Sequence, residues 1–300
     1  MLVDAGFVCH HDYKSSSAEI ALRISDYTGI VIRSRFPVDE KFLSAASQLK
    51  FIARAGAGME NINVEFAKSR GIELFNSPEG NRDAVGEQAI GMLLMLLNHL
   101  KKADSEVRKG IWLRAENRGT ELSNKTVGII GYGQMGSAFA QKLSGFGCRI
   151  LAHDKYINDF GNELVQEVSL DELKQQSDIV SLHLPLSEET NYYVDENFIN
   201  SCAKNFYLIN TARGKNVKTS ALVAALKSGK VLGACLDVLE YEKSSFENIN
   251  TTNLPEDFKF LIDSELVILT PHIAGWTHES HEKLSRFLGD KILHYFDGLN

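Results

Sequence analysis

Apolar and polar residues fall in blocks along this chain, and the block lengths separate strands from helices. From Leu122 onward, short apolar runs recur at 126–131, 149–153, 178–182, 206–210, 232–236 and 266–269. Stretches with helical spacing lie at 134–145, 170–176, 195–201, 219–228 and 276–298. That alternation predicts a parallel sheet with helices on both faces. Before it, Gly29–Arg33, Leu49–Ala53 and Ile72–Phe75 read as short buried strands. Helical spacing accompanies them at Glu19–Tyr27, Glu40–Ala46 and Val64–Arg70. Ala84 to about Lys109 reads as one long helix, apolar over its first half and charged over its second. Tyr241–Phe260 is polar and irregular and predicts a surface excursion.

The long helix changes character near Asn98, which suggests that it leaves one domain and enters another. The expected division is a discontinuous first domain, 1–97 with 276–300, and a second domain, 98–275. A chain of 300 residues is long enough for two domains. Its longest apolar stretch, Ile90–Leu97, is too short to cross a bilayer. No basic region followed by an apolar core opens the chain, so no secretory signal is expected. The net charge of −7 argues against a nucleic-acid or anionic-membrane surface. Cys9, Cys148, Cys202 and Cys235 are scattered, without metal-ligand spacing. They read as reduced thiols of a cytoplasmic protein, and no metal site is expected.

The sharpest chemical signal is Gly131-Tyr132-Gly133-Gln134-Met135-Gly136. It follows an apolar run and opens a helix, with Asp154 closing the next apolar run. This is the dinucleotide fingerprint in its required strand–helix context. Gly131 permits a tight turn, Gly133 lets backbone approach a pyrophosphate, and Gly136 lets helix and strand pack closely. The helix start offers N–H groups and a positive dipole end to phosphates. Asp154 favours NAD over NADP by repelling a 2′-phosphate. Three further segments place polar residues after predicted strands, where such sheets keep their chemistry. They supply Arg213, Glu242 and His272. A histidine suits proton transfer near neutral pH, a carboxylate can orient it, and a guanidinium can bind a carboxylate and a carbonyl together. Thr211 and Ala212 beside the arginine, and His183 with Pro185, are expected near the cofactor; a structural role for His183 is the alternative.

The ordered set of motifs resembles the D-isomer-specific 2-hydroxyacid dehydrogenases, particularly their phosphoglycerate dehydrogenase branch. Besides the fingerprint, the resemblance is carried by Arg54–Asn63, Asn76–Asn81, Gly110–Trp112, His183–Leu186, Asn210–Gly214, Asp237–Glu242 and Thr270–Gly275. It implies a Rossmann-type doubly wound parallel sheet for the cofactor, NAD, and a smaller flavodoxin-like α/β substrate domain. It implies that Arg213 binds the substrate carboxylate and carbonyl, and that His272, paired with Glu242, donates the proton in reduction. Asp237 would hold the nicotinamide carboxamide. Gln134 and Met135 would present backbone to the pyrophosphate, and Asp154 would meet the adenosine ribose. The amides of Ala55, Gly56 and Ala57 would hold the substrate carboxylate, with Arg54 reaching a second anionic group. A homodimer through the cofactor domain is implied as well.

Several positions depart from the family pattern. Only five residues precede Gly6, where a strand and most of a helix are usual, so an exposed sheet edge is expected in the first domain. Lys243 stands where a proline is common, and the Glu242-to-His272 stretch is longer than usual. Met59-Glu60 is a mild change. No regulatory extension follows the last helix, so feedback through such a module is not expected. The implied activity is hydride transfer between NAD and C2 of a small D-2-hydroxy acid, with 3-phosphoglycerate favoured. The alternatives are a glyoxylate or hydroxypyruvate reductase, or a non-enzymatic NADH-sensing protein like the corepressors that share this fold.

Overall fold

A computed structural model describes residues 1–242 and 254–298. The described chain divides into two units, one of residues 1–81 with 276–298, the other of 82–242 with 254–275.

The first unit is built on three parallel strands, β1 (Gly29–Ile32), β2 (Phe51–Arg54) and β3 (Glu73–Asn76), in the order β1-β2-β3. Helices α1 (Ser17–Ala21), α2 (Glu40–Ala45) and α3 (Val64–Ser69) connect or precede them. Each begins at a polar cap: Ser16, Asp39 and Asn63 accept the amides of Glu19, Phe42 and Phe66. Val38, Phe42, Leu43 and Ile52 form one core of this unit. A second core joins Phe51 and Ala53 of β2 to Leu288 and Ile292 of α11 (His278–Asp297). Gly80 makes that approach possible, since a Cβ there would lie 2.5 Å from the Leu284 amide nitrogen. Lys291 fixes the register by donating to the Asn76 carbonyl at 2.8 Å and pairing with Glu79 at 2.9 Å. Residues 1–16 contain no strand, and β1 is an edge with Val31 exposed.

The second unit holds β4 (Thr126–Ile130), β5 (Arg149–His153), β6 (Val165–Glu167), β7 (Ile179–Leu182), β8 (Phe206–Asn210), β9 (Val231–Leu236) and β10 (Val267–Leu269). All pair in parallel, in the order β10-β9-β8-β7-β4-β5-β6. This is the doubly wound Rossmann-type sheet, with order reversing between β4 and β7. Every residue of β7 is buried, as expected of a central parallel strand covered on both faces. Helix α4 (Arg82–Leu97) packs on α6 (Gln134–Leu143), where Gly86 approaches Ala138 backbone. Helices α7 (Leu170–Gln176), α8 (Glu196–Ser201) and α9 (Thr219–Ser228) complete the connections, and α8 and α9 supply much of one core.

The structure differs from the sequence expectation in four places. The unit boundary falls at Arg82, earlier than the change of character near Asn98, so the whole of α4 lies in the second unit. The long helix is broken into α4 and α5 (Leu100–Arg108) at His99, which adopts a left-handed backbone (φ 52°). The Thr120 amide then caps the Leu97 carbonyl at 2.9 Å. The short β6 carries no strong apolar run of its own; it is held by pairing with β5. Within Tyr241–Phe260 the residues from Glu256 start a helix, α10 (Glu256–Asp263), which buries Phe258 and Leu261. Lys243 and the residues after it up to 253 lie outside the described residues.

A β-branched residue is disfavoured at the left-handed break between α4 and α5. His99→Val is therefore expected to lower stability by about 1–2 kcal/mol, whereas His99→Gly is not. Urea-unfolding midpoints of the two variants check this.

Candidate active site

The carboxyl ends of β4, β8, β9 and β10 bring most of the sequence-predicted residues to one edge of the second unit's sheet. Three glycines shape the turn after β4, for different reasons. Gly131 has φ +90°, and a Cβ there would lie 2.5 Å from the His183 carbonyl oxygen. At Gly136 a Cβ would lie 2.0 Å from the Gly131 carbonyl oxygen. The chain's own packing demands both. At Gly133 a Cβ would meet nothing within 4 Å. Gly133 is the N-cap of α6, and no side chain caps that helix start. Packing of the described residues does not call for a glycine there, and an anion approaching the backbone would. The residues present thus fit a dinucleotide pyrophosphate at Gly133, Gln134 and Met135. The Gln134 side chain accepts from Arg82 Nη1 at 2.6 Å.

Asp154 ends the segment after β5, and its carboxylate organises the neighbouring backbone. Oδ2 accepts the Tyr132 amide at 2.7 Å, and Oδ1 accepts the amides of Tyr156 (2.9 Å) and Ile157 (3.0 Å). The acid is therefore anchored to the fingerprint turn itself. His183 lies after β7, with Nε2 2.9 Å from Ser181 Oγ and its ring 5.3 Å from that of Phe139. Burial pushes its imidazole down to about 3, so it is neutral at physiological pH. These contacts give His183 a packing role in this unit.

Arg213 follows β8 and is held through its backbone by two buried asparagines. Asn210 donates to the Arg213 carbonyl at 2.9 Å, and Asn216 Oδ1 accepts the Arg213 amide at 3.0 Å. Asn216 also donates to the Thr190 carbonyl at 3.0 Å, tying the arginine loop to the loop after β7. Gly214 lets this loop touch the next one, since a Cβ would lie 2.0 Å from the Leu239 carbonyl oxygen. The Ala212 amide donates to Asn210 Oδ1 at 3.1 Å. The Thr211 hydroxyl is buried with no hydrogen-bond partner among the described residues. An orphaned buried hydroxyl costs free energy unless a ligand meets it, which again fits a cofactor here. Pro185 accepts Thr190 Oγ1 at 2.6 Å through its carbonyl.

Glu242 and His272 meet: Nδ1 lies 2.7 Å from Glu242 Oε2, and both side chains are largely buried. Glu242 also accepts the Leu239 amide. His272 has φ 54°, an unusual backbone for a non-glycine residue. Asp237, 1% exposed, holds that turn. Its carboxylate accepts Thr270 Oγ1, the Ile273 amide (2.8 Å) and the Ala274 amide (2.9 Å), while its carbonyl accepts the His272 amide (2.7 Å). A carboxylate offers about four acceptor positions, so this does not exhaust Asp237.

Arg54, Ala55, Gly56 and Ala57 lie in the first unit, at the end of β2. The Arg54 guanidinium passes over Gly56, where a Cβ would sit 1.8 Å from Nη1. Asn76 donates to the Ala57 carbonyl at 2.6 Å. The Ala55 amide extends the sheet to the Ile32 carbonyl, and the Gly56 amide donates to the Arg54 carbonyl, each at 2.8 Å. Two of the three amides expected to receive a carboxylate are thus engaged inside the unit.

Sequence reasoning overlooked Asn216 and the Thr270 hydroxyl as parts of this site. Nothing in the sequence around Asn216 marks it, since its complete burial beside the exposed Lys215 is visible only in the fold. Thr270 stands two residues before His272, so only the turn geometry reveals its bond to Asp237.

The glycines give a paired expectation. Gly136→Ala should destabilise the protein by more than about 2 kcal/mol, because backbone must move, whereas Gly133→Ala should spare stability and weaken nucleotide binding. Thermal unfolding and NADH titration separate the two effects. His183 gives a pH expectation. Its folded value near 3 lies below its ordinary 6.5, so the unfolded chain takes up a proton that the folded one refuses. This contribution is fully present above the ordinary value and is lost as pH falls towards the folded one. Its slope is about 1.4 kcal/mol per pH unit, and His183→Gln should flatten it. Unfolding free energies between about pH 6 and 4 measure that slope.

Comparison with known proteins adds to this geometry. Residues 90–274 match the family model described as "D-isomer specific 2-hydroxyacid dehydrogenase, NAD binding domain". The chain is 33% identical to D-3-phosphoglycerate dehydrogenase of Archaeoglobus fulgidus over 95% of its own length and 52% of that protein. It therefore spans about half the length of that relative. It is 34% identical to hydroxypyruvate reductase of Thermotoga maritima, covering 91% of this chain and 86% of that one. The structure resembles D-lactate dehydrogenase from Aquifex aeolicus, solved with NAD and lactic acid (TM-score 0.80, 31% identity, 95% and 86% of the two chains). Among the described residues no helix is long and apolar enough to cross a membrane. With its doubly wound sheet and NAD-binding domain, the chain belongs to the D-isomer-specific 2-hydroxyacid dehydrogenase family.

Proposed function

We propose that this chain is an NAD-dependent dehydrogenase of a small D-2-hydroxy acid, with 3-phosphoglycerate as the favoured substrate. The observation that carries the reading is the 2.7 Å pair of Glu242 and His272, on the same sheet edge as Arg213 and the fingerprint turn. NAD, held at the fingerprint turn by Gly133, Gln134 and Met135, would supply or accept the hydride. His272 handles the proton: with Nδ1 directed to Glu242, Nε2 is the nitrogen for the substrate oxygen. Glu242 fixes tautomer and ring orientation, and its own position is set by the Leu239 amide. Arg213 binds the substrate carboxylate and polarises its carbonyl, an arrangement suited to a planar guanidinium. Asp237 keeps the histidine turn in place and receives the nicotinamide carboxamide at its remaining acceptor position. Asp154 receives the adenosine ribose, and the Thr211 hydroxyl faces the cofactor.

From the first unit, Arg54 and the Ala57 amide would bind substrate. The guanidinium over Gly56 favours an acid with a second anionic group, which is the support for a phosphorylated substrate. Relatives named hydroxypyruvate reductase and glyoxylate reductase support an unphosphorylated keto acid as the second reading. Two copies would pair through the second unit. Helix α5 has no buried residue, and Ile111, Trp112 and Leu113 after it are exposed, which supports such an interface. A cytoplasmic location agrees with unpaired Cys9, Cys148, Cys202 and Cys235.

NADH consumption with phosphohydroxypyruvate, hydroxypyruvate and glyoxylate tests the reading. The expected result is turnover with the phosphorylated acid favoured. His272→Asn should lower kcat about 10²–10⁴-fold without loss of NADH binding. A folded protein that binds NADH and turns over none of these acids would refute the enzymatic reading.

A further inference from the structure

The strand order places β5 and β7 on either side of β4, so the loops after them flank the fingerprint turn. Those two loops are joined above it. Lys155, directly after Asp154, forms an ion pair with Glu189 in the loop after β7. Tyr156 donates its hydroxyl to the other Glu189 oxygen at 2.6 Å. Surface ion pairs usually contribute little because two flexible side chains must be ordered. Here both supports are already fixed. Asp154 accepts the amides of Tyr156 and Ile157, which pins the lysine's backbone. Thr190 is buried, bonded to Ser187 and to the Pro185 carbonyl, and its own carbonyl receives Asn216. Glu189 therefore projects from one hydrogen-bonded loop towards another.

A basic side chain just after the ribose-binding acid is the type of group that accommodates a 2′-phosphate in NADP. Asp154 alone would oppose that phosphate, while Lys155 beside it would favour it. We propose that Glu189 is a specificity-determining residue: it holds Lys155 in an ion pair, so that the cation does not serve a 2′-phosphate and NAD is selected. The inference rests on the reading of Asp154 as the ribose acid. Glu189 acts through Lys155 and is a positioning residue, not a ligand of the nucleotide. Tyr156 keeps the carboxylate aimed at the lysine by occupying its second oxygen. The direction of the ionisation shifts agrees, since Lys155 is raised and Glu189 lowered, each chiefly by the bond to the other.

The test is direct binding of NADH and NADPH to the full chain, read from the fluorescence of the reduced nicotinamide. Glu189→Gln keeps the shape of the side chain and removes its charge. It should tighten NADPH by about five-fold or more and leave NADH within about two-fold. Lys155→Ala should abolish that gain when combined with Glu189→Gln, since the two residues are coupled. An unchanged ratio of the two affinities in Glu189→Gln, with normal NADH binding, overturns the proposal alone. A gain of the same size in the Lys155→Ala background overturns it too, because Glu189 would then act by repulsion without the lysine. A wild-type chain that binds neither nucleotide overturns the reading of the fingerprint and Asp154, and this proposal with it.

Discussion

The buried carboxylate of Asp237 is the joint on which the chemical edge of this protein depends. Burying a carboxylate costs several kcal/mol unless donors replace its water. Here three donors do so, all from the turn of residues 270–274. The same acid's carbonyl takes the His272 amide. The end of β9 and the turn after β10 are therefore one mechanical piece. A left-handed backbone at a histidine persists only where its surroundings over-determine it, and this clamp provides that. Glu242 lies a few residues beyond Asp237 on the same chain segment, so a single strand end supplies both the clamp and the ring's partner. The pairing distance of Glu242 and His272 is thus set by backbone bonds more than by two side chains finding each other.

The neighbouring strand works by the same logic. Asn210 and Asn216 take both backbone groups of Arg213, and Asn216 continues to the loop after β7. The Arg213 backbone is thus placed by neutral, hydrogen-bonded amides, which cost less to bury than charged partners. Arrangement by backbone also explains why these loops tolerate no side chain at Gly214, whose neighbour is the Leu239 carbonyl.

Much of this was legible in the sequence because the signals were local. The second unit's strands are buried on both faces, so they read as continuous apolar runs, and β5 and β8 fall where those runs predicted. The fingerprint, Arg213, Glu242 and His272 were visible because each follows such a run. What escaped was set by tertiary contact. The three residues of β6 have no pattern of their own and are strand only through β5. The break at His99 leaves no composition signal, because histidine is compatible with the preceding helix and with the left-handed position. Helix α10 hides in a polar stretch because only Phe258 and Leu261 are buried, with Phe260 partly buried against the same core. The occupation of the Ala55 amide follows from sheet register, which single-chain periodicity does not specify, and that of the Gly56 amide from the tight turn after β2.

The two acids that the sequence marked for ligands, Asp154 and Asp237, share a further property. Each already accepts backbone amides within the chain, and each has its orientation fixed by them. An acid held this way loses little side-chain freedom when a ligand arrives, so more of the contact energy is available for binding. It also makes the acid hard to replace. Asparagine at Asp154 would put an NH₂ where the Tyr132 amide or the Tyr156 and Ile157 amides now donate, and one set of those bonds would be lost. At these positions the residue that the sequence marks for a ligand is also the one that holds the loop's shape. The same reasoning separates Gly133 from its two neighbours: of the three fingerprint glycines, it alone has no contact of the described chain that a Cβ would meet.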